Sequence, residues 1–363
     1  MVVDPQGFNI VAREAMSFGR RLPRFFFSRY ANTTIPDPSS IEEEGSFNGG
    51  ALWMHKIFID GEAGTTGLQI RARLEGRSDL ELIAIDPARR KDADARAETL
   101  NSCDLAILCL PDEAAREAVT LIDNPDVRVI DASTAHRTAM GWTYGFAEMS
   151  GTQRGEIAGS KRVSNPGCYP TGFIALVRPL VEAGLLPADW PVTVNAVSGY
   201  SGGGKAMIAE FEGAAPDPYR AYAMNLGHKH APEMRAHAKL AHPPLFAPAV
   251  GRFAQGMIVE VPLQLFALPG APTLDRIEEA LVAAYAGERF IDVAPRLEAA
   301  DMKTLTPEGL NGTNRMTLFV FGDADAGQAR LCALLDNLGK GASGAAVQNL
   351  NLMLGLDEAA GLT

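Results

Sequence analysis

The run Ser164-Asn165-Pro166-Gly167-Cys168-Tyr169-Pro170-Thr171-Gly172 sets a thiol directly behind a Pro-Gly turn and ahead of an apolar run, Phe173 to Leu180. That run has helical spacing, so Cys168 is expected at or just before a helix N-terminus. Unpaired N–H groups and the positive end of the helix dipole gather there and favour an anion. A thiol so placed can titrate below its free value of about 8.5, and the thiolate is the nucleophilic form. Most free cysteines are simply buried, but Asn, Pro, Gly and Tyr are not the neighbours of a thiol packed in an apolar core. Cys168 therefore reads as a nucleophile. The stretch Gly227-His228-Lys229-His230-Ala231-Pro232-Glu233 offers two imidazoles. They are either a solvated pair at a helix start or the acid/base that such a thiol needs. His237 and His242 follow with zinc-like spacing, yet no Cys lies near and Pro232 separates them from the first pair, so no metal site is expected.

A second constellation lies upstream. Lys56-Ile57-Phe58-Ile59-Asp60 is a short apolar strand, and Gly61-Glu62-Ala63-Gly64-Thr65-Thr66-Gly67 follows it. Leu68, Ile70, Ala72 and Leu74 then open a helix that Gly76 ends. Strand, glycine turn and helix together form a phosphate cradle, in which glycines let the backbone approach a pyrophosphate and the helix start offers N–H donors. The spacing is G-x-x-G-x-x-G, and the flanking strand and helix give it its weight. The next strand, Leu80 to Ile85, ends in Asp86 and runs into Arg89, Arg90 and Lys91. Such a cluster suits the 2′-phosphate of NADP, the alternative being a solvated basic loop. Strand and helix go on alternating through Leu105–Leu110, Asp112–Leu121 and Val127–Ile130. A doubly wound parallel sheet is therefore expected, with ligands beyond the carboxyl ends of its strands. Ser133 and Arg137 stand at such an end. They can hold a substrate phosphate or carboxylate, and for Ser133 helix capping is an equal alternative.

The remaining chain must position these groups. Val192–Val197 reads as a strand feeding the glycines at 202, 203 and 204. Met257–Leu268 reads as a strand at a subunit interface, and Thr273–Ala286 as a helix. Met316–Phe321 is a further strand, and Ala329–Leu338 is apolar enough to be helical. The end, Gly339-Lys340-Gly341-Ala342-Ser343-Gly344 and then Ala345 to Leu354, reads as a turn and a buried helix packed against another domain. The first 53 residues differ in texture and read as a disordered upstream extension. With 363 residues the chain is long enough for two domains. A formal charge of −11 argues against coating a nucleic acid. No apolar run nears the roughly 20 residues of a membrane span. Four cysteines without paired spacing suit a reducing compartment, so a cytoplasmic location is expected.

Four motifs taken in order carry a resemblance: Gly61–Gly67, Ser164–Gly172, His228–Glu233, and Gly339–Ser343 with Gly344-Ala345-Ala346-Val347-Gln348-Asn349. From about Met54 to the end the chain resembles the N-acetyl-γ-glutamyl-phosphate reductases, in their shorter variant. The resemblance implies an α/β fold: a Rossmann-type parallel-sheet domain of residues 54–169 plus 343–363, and an α+β catalytic and dimerisation domain of residues 170–342. It implies Cys168 as nucleophile, the His228/His230 pair as acid/base, and Asn349 beside the nicotinamide of NADP. Gly61, Gly64, Thr65, Thr66, Gly67, Arg89 and Arg90 fall to the cofactor; Ser133, Arg137, Asn165 and Glu233 fall to the substrate. An acyl phosphate, inorganic phosphate and a homo-oligomer, dimer or tetramer, are implied as partners. The alternatives are an aspartate-semialdehyde dehydrogenase-like enzyme and a non-catalytic NADP-binding sensor; the sensor would have no need of Cys168 or the His pair.

Overall fold

Short apolar runs with no polar face make parallel strands that are covered on both sides, and the first half of the chain folds in that way. The structure, a computed structural model, describes residues 54–86, 88–89 and 92–363. The N-terminal extension and Arg90 and Lys91 of the basic loop lie outside the described residues. In chain order come β1 (His55–Asp60), α1 (Thr65–Leu74), β2 (Leu80–Ile83), α2 (Ala93–Ser102), β3 (Leu105–Leu108), α3 (Asp112–Thr120) and β4 (Arg128–Asp131). β5 (Thr143–Tyr144), α4 (Gln153–Gly159) and β6 (Arg162–Ser164) follow. These strands form one six-stranded sheet in the order β2-β1-β3-β4-β6-β5, parallel throughout. The order reverses between β1 and β3, and such a switch point opens a crevice beyond the strand ends.

The chain then enters α5 (Cys168–Glu182), in which 11 of 15 residues are buried. A helix apolar all round belongs inside a core, and α5 packs against the face of a second sheet, touching β10 and β13. That sheet is built from β7 (Thr193–Gly199), β8 (Tyr219–Ala221), β9 (Leu245–Gly251), β10 (Met257–Gln264), β11 (Ile291–Val293), β12 (Met316–Asp323) and β13 (Gln328–Leu335). Its order is β11-β12-β13-β10-β7-β9-β8, and parallel and antiparallel pairs are mixed. Helices α6 (Gly204–Phe211), α7 (Ala231–His237), α8 (Leu274–Ala284) and α9 (Arg296–Ala299) are interspersed. A π-helical turn, Gly339–Ser343, leads into α10 (Gly344–Leu354). α10 returns to the first sheet, where Ala346, Val347, Leu350 and Met353 share a core with Ile57, Ile70, Leu105 and Ile130.

Two sequence expectations are corrected. Ala329–Leu338 is not a helix: its run through Leu335 is β13, paired antiparallel with β10 on one side and β12 on the other. An unbroken apolar run has no period, and a strand buried on both faces looks like a helix core. The strand read over Met257–Leu268 ends at Gln264, and Leu265–Ala267 forms a 3-10 turn. It lies in the middle of the sheet, between β7 and β13.

Candidate active site

One cleft of about 580 Å³ follows the carboxyl ends of the first sheet, from Gly64–Gly67 past Cys109 and Ala132 to Asn165 and Cys168. Its far wall comes from the Gly202–Lys205 segment, Tyr222, His228 and His230. The glycine turn has a steric cause. Gly61 sits at φ +84°, where a side chain is strained, and a Cβ there would run into the Cys109 carbonyl oxygen. The turn thus lies flat against the neighbouring strand end. α1 starts at Gly64 with no side-chain cap, and Thr65, Thr66 and Gly67 of its first turn line the cleft. An uncapped helix start of this kind accepts a phosphate. Arg89 is outside the cleft lining; its guanidinium pairs with Asp92 at 3.0 Å and Glu98 at 3.3 Å.

Cys168 is the first residue of α5, directly after the Gly167 N-cap. Its expected helix-start position is therefore found, but the expected acidity is not. Burial pushes the half-buried thiol up to about 11, against the opposing pull of Arg137 and of the Tyr169 and Cys168 N–H groups. Cys103, Cys109 and Cys332 are pushed further, to about 12, by burial above all. A thiol in this state needs a base to become a nucleophile.

The two imidazoles can supply one. Burial, then Lys229, lowers His228 to about 4. Burial, then Arg137, holds His230 well below the ordinary histidine range. Both rings are therefore neutral at neutral pH, each with one unprotonated nitrogen. The His228 Nδ1 accepts the His230 backbone N–H at 3.1 Å, and the ring centroids stand 4.7 Å apart. The His230 Nδ1 has no partner, and its Nε2 packs on the turn before the thiol: a Cβ on Gly167 would lie 2.7 Å from it.

The expected substrate groups separate into two kinds. Arg137 and Asn165 line the cleft. Arg137 donates from Nε to the Asn165 carbonyl at 2.9 Å and from Nη1 to Glu233 Oε2 at 3.0 Å. Glu233 does not meet the cleft. Its Oε1 accepts the Gly167 N–H and the Tyr144 hydroxyl, each at 2.7 Å, so both carboxylate oxygens of this buried side chain are taken. Ser133 caps no helix; its hydroxyl donates to Asp131 Oδ2 at 2.8 Å and accepts the Ala135 N–H, and the residue lines a smaller pocket that shares Arg137 and Lys229 with the cleft. Asn349 is fully buried behind Asn165, with Nδ2 on the Gly145 carbonyl at 2.9 Å and on Asn165 Oδ1 at 3.1 Å. Asn165 in turn donates to the Ala342 carbonyl at 2.9 Å. His237 is tied to the Arg137 carbonyl at 2.7 Å and stacks on Tyr144. Among the described residues no group of three or more His, Cys, Asp or Glu is arranged to hold a metal.

Sequence reasoning missed two cations. Lys205 and Lys229 line the cleft, are exposed, and form no ion pair among the described residues. The signal was present, because both lie inside motifs already singled out, beside the glycines and between the histidines.

Comparison with known proteins follows the same division. Residues 84–157 match the family model described as semialdehyde dehydrogenase, NAD binding domain, and residues 168–337 match semialdehyde dehydrogenase, dimerisation domain. A Nostoc sp. protein named N-acetyl-gamma-glutamyl-phosphate reductase 2 is 56% identical over 318 residues, covering 85% of this chain and 99% of the relative. The N-acetyl-gamma-glutamyl-phosphate reductase of Brucella suis is 57% identical over 306 residues, 83% of this chain and 99% of the relative. Among solved structures, aspartate semialdehyde dehydrogenase II of Vibrio cholerae, complexed with ASA, superposes with a TM-score of 0.61 at 16% identity, over 83% of this chain and 98% of that one. Aspartate semialdehyde dehydrogenase of Candida albicans, solved with NADP, gives 0.56 at 15% identity, over 83% of this chain and 98% of that one.

Proposed function

The chain belongs to the N-acetyl-γ-glutamyl-phosphate reductase family, and from that premise we propose that Cys168 carries the reduction of N-acetyl-γ-glutamyl phosphate to N-acetylglutamate 5-semialdehyde and phosphate, a step of arginine biosynthesis. The observation behind this reading is the placing of Cys168 at a helix start, with a neutral His230 against the preceding turn, in the same cleft as the uncapped start of α1.

The residues divide the work as follows. His230 takes the Cys168 proton as the sulfur attacks the acyl carbon, and phosphate leaves from the tetrahedral adduct to give a thioester. The Cys168 and Tyr169 N–H groups, which both act on the sulfur, hold the oxyanion; one such donor is worth roughly 3 kcal/mol. NADPH, when bound, supplies the hydride that reduces the thioester. Collapse of the resulting thiohemiacetal oxyanion releases the aldehyde and the Cys168 thiolate, which recovers its proton from the His230 imidazolium. His228, with Nδ1 accepting a backbone N–H, keeps a proton on Nε2 and can donate toward the substrate. Arg137, Lys205 and Lys229 supply positive charge for the substrate phosphate and carboxylate. Thr65, Thr66 and Gly67 would hold the pyrophosphate, and Arg89 and Arg90 would hold the 2′-phosphate.

We divide the chain into a cofactor domain of residues 54–169 with 343–363 and a catalytic and dimerisation domain of residues 170–342. The shared core of α10 and the first sheet supports this division. A second copy docks on the outer face of the second sheet, where a groove of about 430 Å³ is bordered by the exposed Tyr219, Met224 and Leu226. The four free thiols suit the cytoplasm.

The reading is tested by phosphate-dependent reduction of NADP with N-acetylglutamate semialdehyde against aspartate semialdehyde; preference for the latter defeats it. Within it, His230→Asn should cost on the order of 10²-fold or more in kcat and His228→Asn clearly less. The reverse order moves the proton acceptor to His228.

A further inference from the structure

We infer that Lys340, outside the cleft and fully enclosed, is a positioning residue for Cys168. The inference rests on the reading of Cys168 as the nucleophile. Lys340 is 1% exposed, and its three ammonium donors are all satisfied: Glu148 Oε1 at 2.7 Å, Glu148 Oε2 at 2.8 Å and Gln348 Oε1 at 2.8 Å. The rings of Phe146 and Phe290 flank it at 5.7 and 5.5 Å. Glu148 also accepts the Gln348 Nε2 at 2.8 Å. Burial acts to raise the Glu148 carboxyl, but the Lys340 ammonium and Gln348 outweigh it and hold the group below the usual carboxylate range.

A buried ion pair of this kind adds little stability over an apolar filling; its use is to specify one arrangement of the chain. The arrangement in question is the π-helical turn Gly339–Ser343, held by wide i→i−5 bonds from Gly341 N–H to Asp336 C=O at 2.9 Å and from Ser343 N–H to Leu338 C=O at 3.0 Å. Such turns are rare and cluster at functional sites. The two residues after Lys340 are the ones that touch the site. Gly341 lies so close to the nucleophile that a Cβ on it would stand 2.8 Å from the Cys168 Cβ. The Ala342 carbonyl receives Asn165. Lys340 therefore fixes the back wall of the thiol. Glu148 anchors the turn to the first-sheet side, and Gln348 anchors it to α10. Neighbouring pairs extend the node: Arg154 of α4 meets Glu288 and, at 3.0 Å, Glu358, and Glu358 also accepts Gln348 Nε2 at 2.7 Å.

The test removes both charges together with Lys340→Met/Glu148→Gln, so that no lone charge is left buried. NADP affinity and cooperative melting should stay near wild type. The kcat should fall by at least about tenfold with KM little changed, since small misplacements of a reacting group cost that much or more. The rate of Cys168 alkylation by iodoacetamide, taken relative to Cys332, should shift by a similar factor; this readout needs no substrate, so it stands even if the substrate assignment fails. A folded double variant with wild-type kcat and wild-type Cys168 alkylation overturns the proposal. If the double variant does not fold, Gln348→Met keeps the ion pair and removes one acceptor. A change of about threefold or more in Cys168 alkylation supports the proposal there, and no change overturns it.

Discussion

At the nucleotide end of the cleft one unbroken piece of chain, Asp60 to Leu74, supplies strand end, turn and helix start. At the thiol end Arg137, Tyr144, Cys168 and Gly341 arrive from separate segments and meet the start of α7, which brings both His230 and Glu233. The first end is made of backbone: what it offers a ligand is N–H groups and a dipole, and its glycines are there to leave room. The second end is made of side chains, each held by another. Glu233 alone joins the turn before the nucleophile, the arginine of the cleft wall and the helix that begins just after His230. A backbone site tolerates change in its side chains, while a network fails when one member is lost. The two ends should therefore respond differently to substitution.

The largest difference is expected from Cys168→Ser. Turnover should fall by at least about 10³-fold, as it does when a covalent nucleophile is removed. The affinity for NADP should hold, because the thiol is no part of the glycine turn. Near-normal turnover in this variant would end the covalent mechanism. Glu233→Gln should come next. It keeps the shape but removes the charge that faces Arg137, and breaking a buried pair from one side costs about 3–5 kcal/mol. Melting should drop and kcat should fall, again with NADP binding little changed; an unaltered melting curve would mean that the network is not what holds this end. Arg89→Ala/Arg90→Ala acts on the other end. Charge-assisted hydrogen bonds to one phosphate are lost, so NADP binding should weaken by about tenfold or more while NAD binding and melting stay put. Equal losses for both cofactors would leave Arg89 to its surface partners, Asp92 and Glu98.

The same division explains what could be read from the chain alone. The glycine turn, the alternation of strand and helix, and Cys168 at a helix start are local patterns, and each is where the spacing put it. Glu233 was assigned to substrate because its partners are remote: Tyr144 lies 89 positions away and Arg137 lies 96 away. Nothing in a local pattern tells a carboxylate facing a ligand from one consumed inside. Asn349 and Ser133 are likewise held by remote or internal partners that no local pattern announces, Asn349 Nδ2 by the Gly145 carbonyl and the Ser133 hydroxyl by Asp131. The acidity of Cys168 shows two scales in conflict. The helix start alone favours the thiolate, but burial, which only the tertiary fold creates, outweighs it. β13 was misread because its apolar run carries no period.

The smallest expected effect is the response of stability to pH. His228, His230 and His237 all have folded values lowered by burial from the ordinary 6.5. In the unfolded chain they bind protons from about 6.5 downward, while in the folded chain they resist. The unfolded state is therefore favoured as pH falls, with the contribution of His228 lost between 6.5 and about 4. The cysteines act on the opposite side. Their folded values lie above the ordinary 9.0, Cys168 at about 11, so the unfolded chain loses thiol protons first and stability falls again as pH rises past 9. Stability should be greatest between these limits, and each group contributes at most about 1.4 kcal/mol per pH unit. Urea unfolding at pH 7.5 and pH 5.5 checks the acid side. His228→Asn should shrink the difference between the two pH values, since one buried neutral imidazole is gone. The acid loss belongs to the thiol end, because the shifted group of the nucleotide end, Asp60, is a carboxyl that burial raises, and such a group gains stability as pH falls. An identical loss in His228→Asn and wild type would place the acid sensitivity elsewhere in the chain.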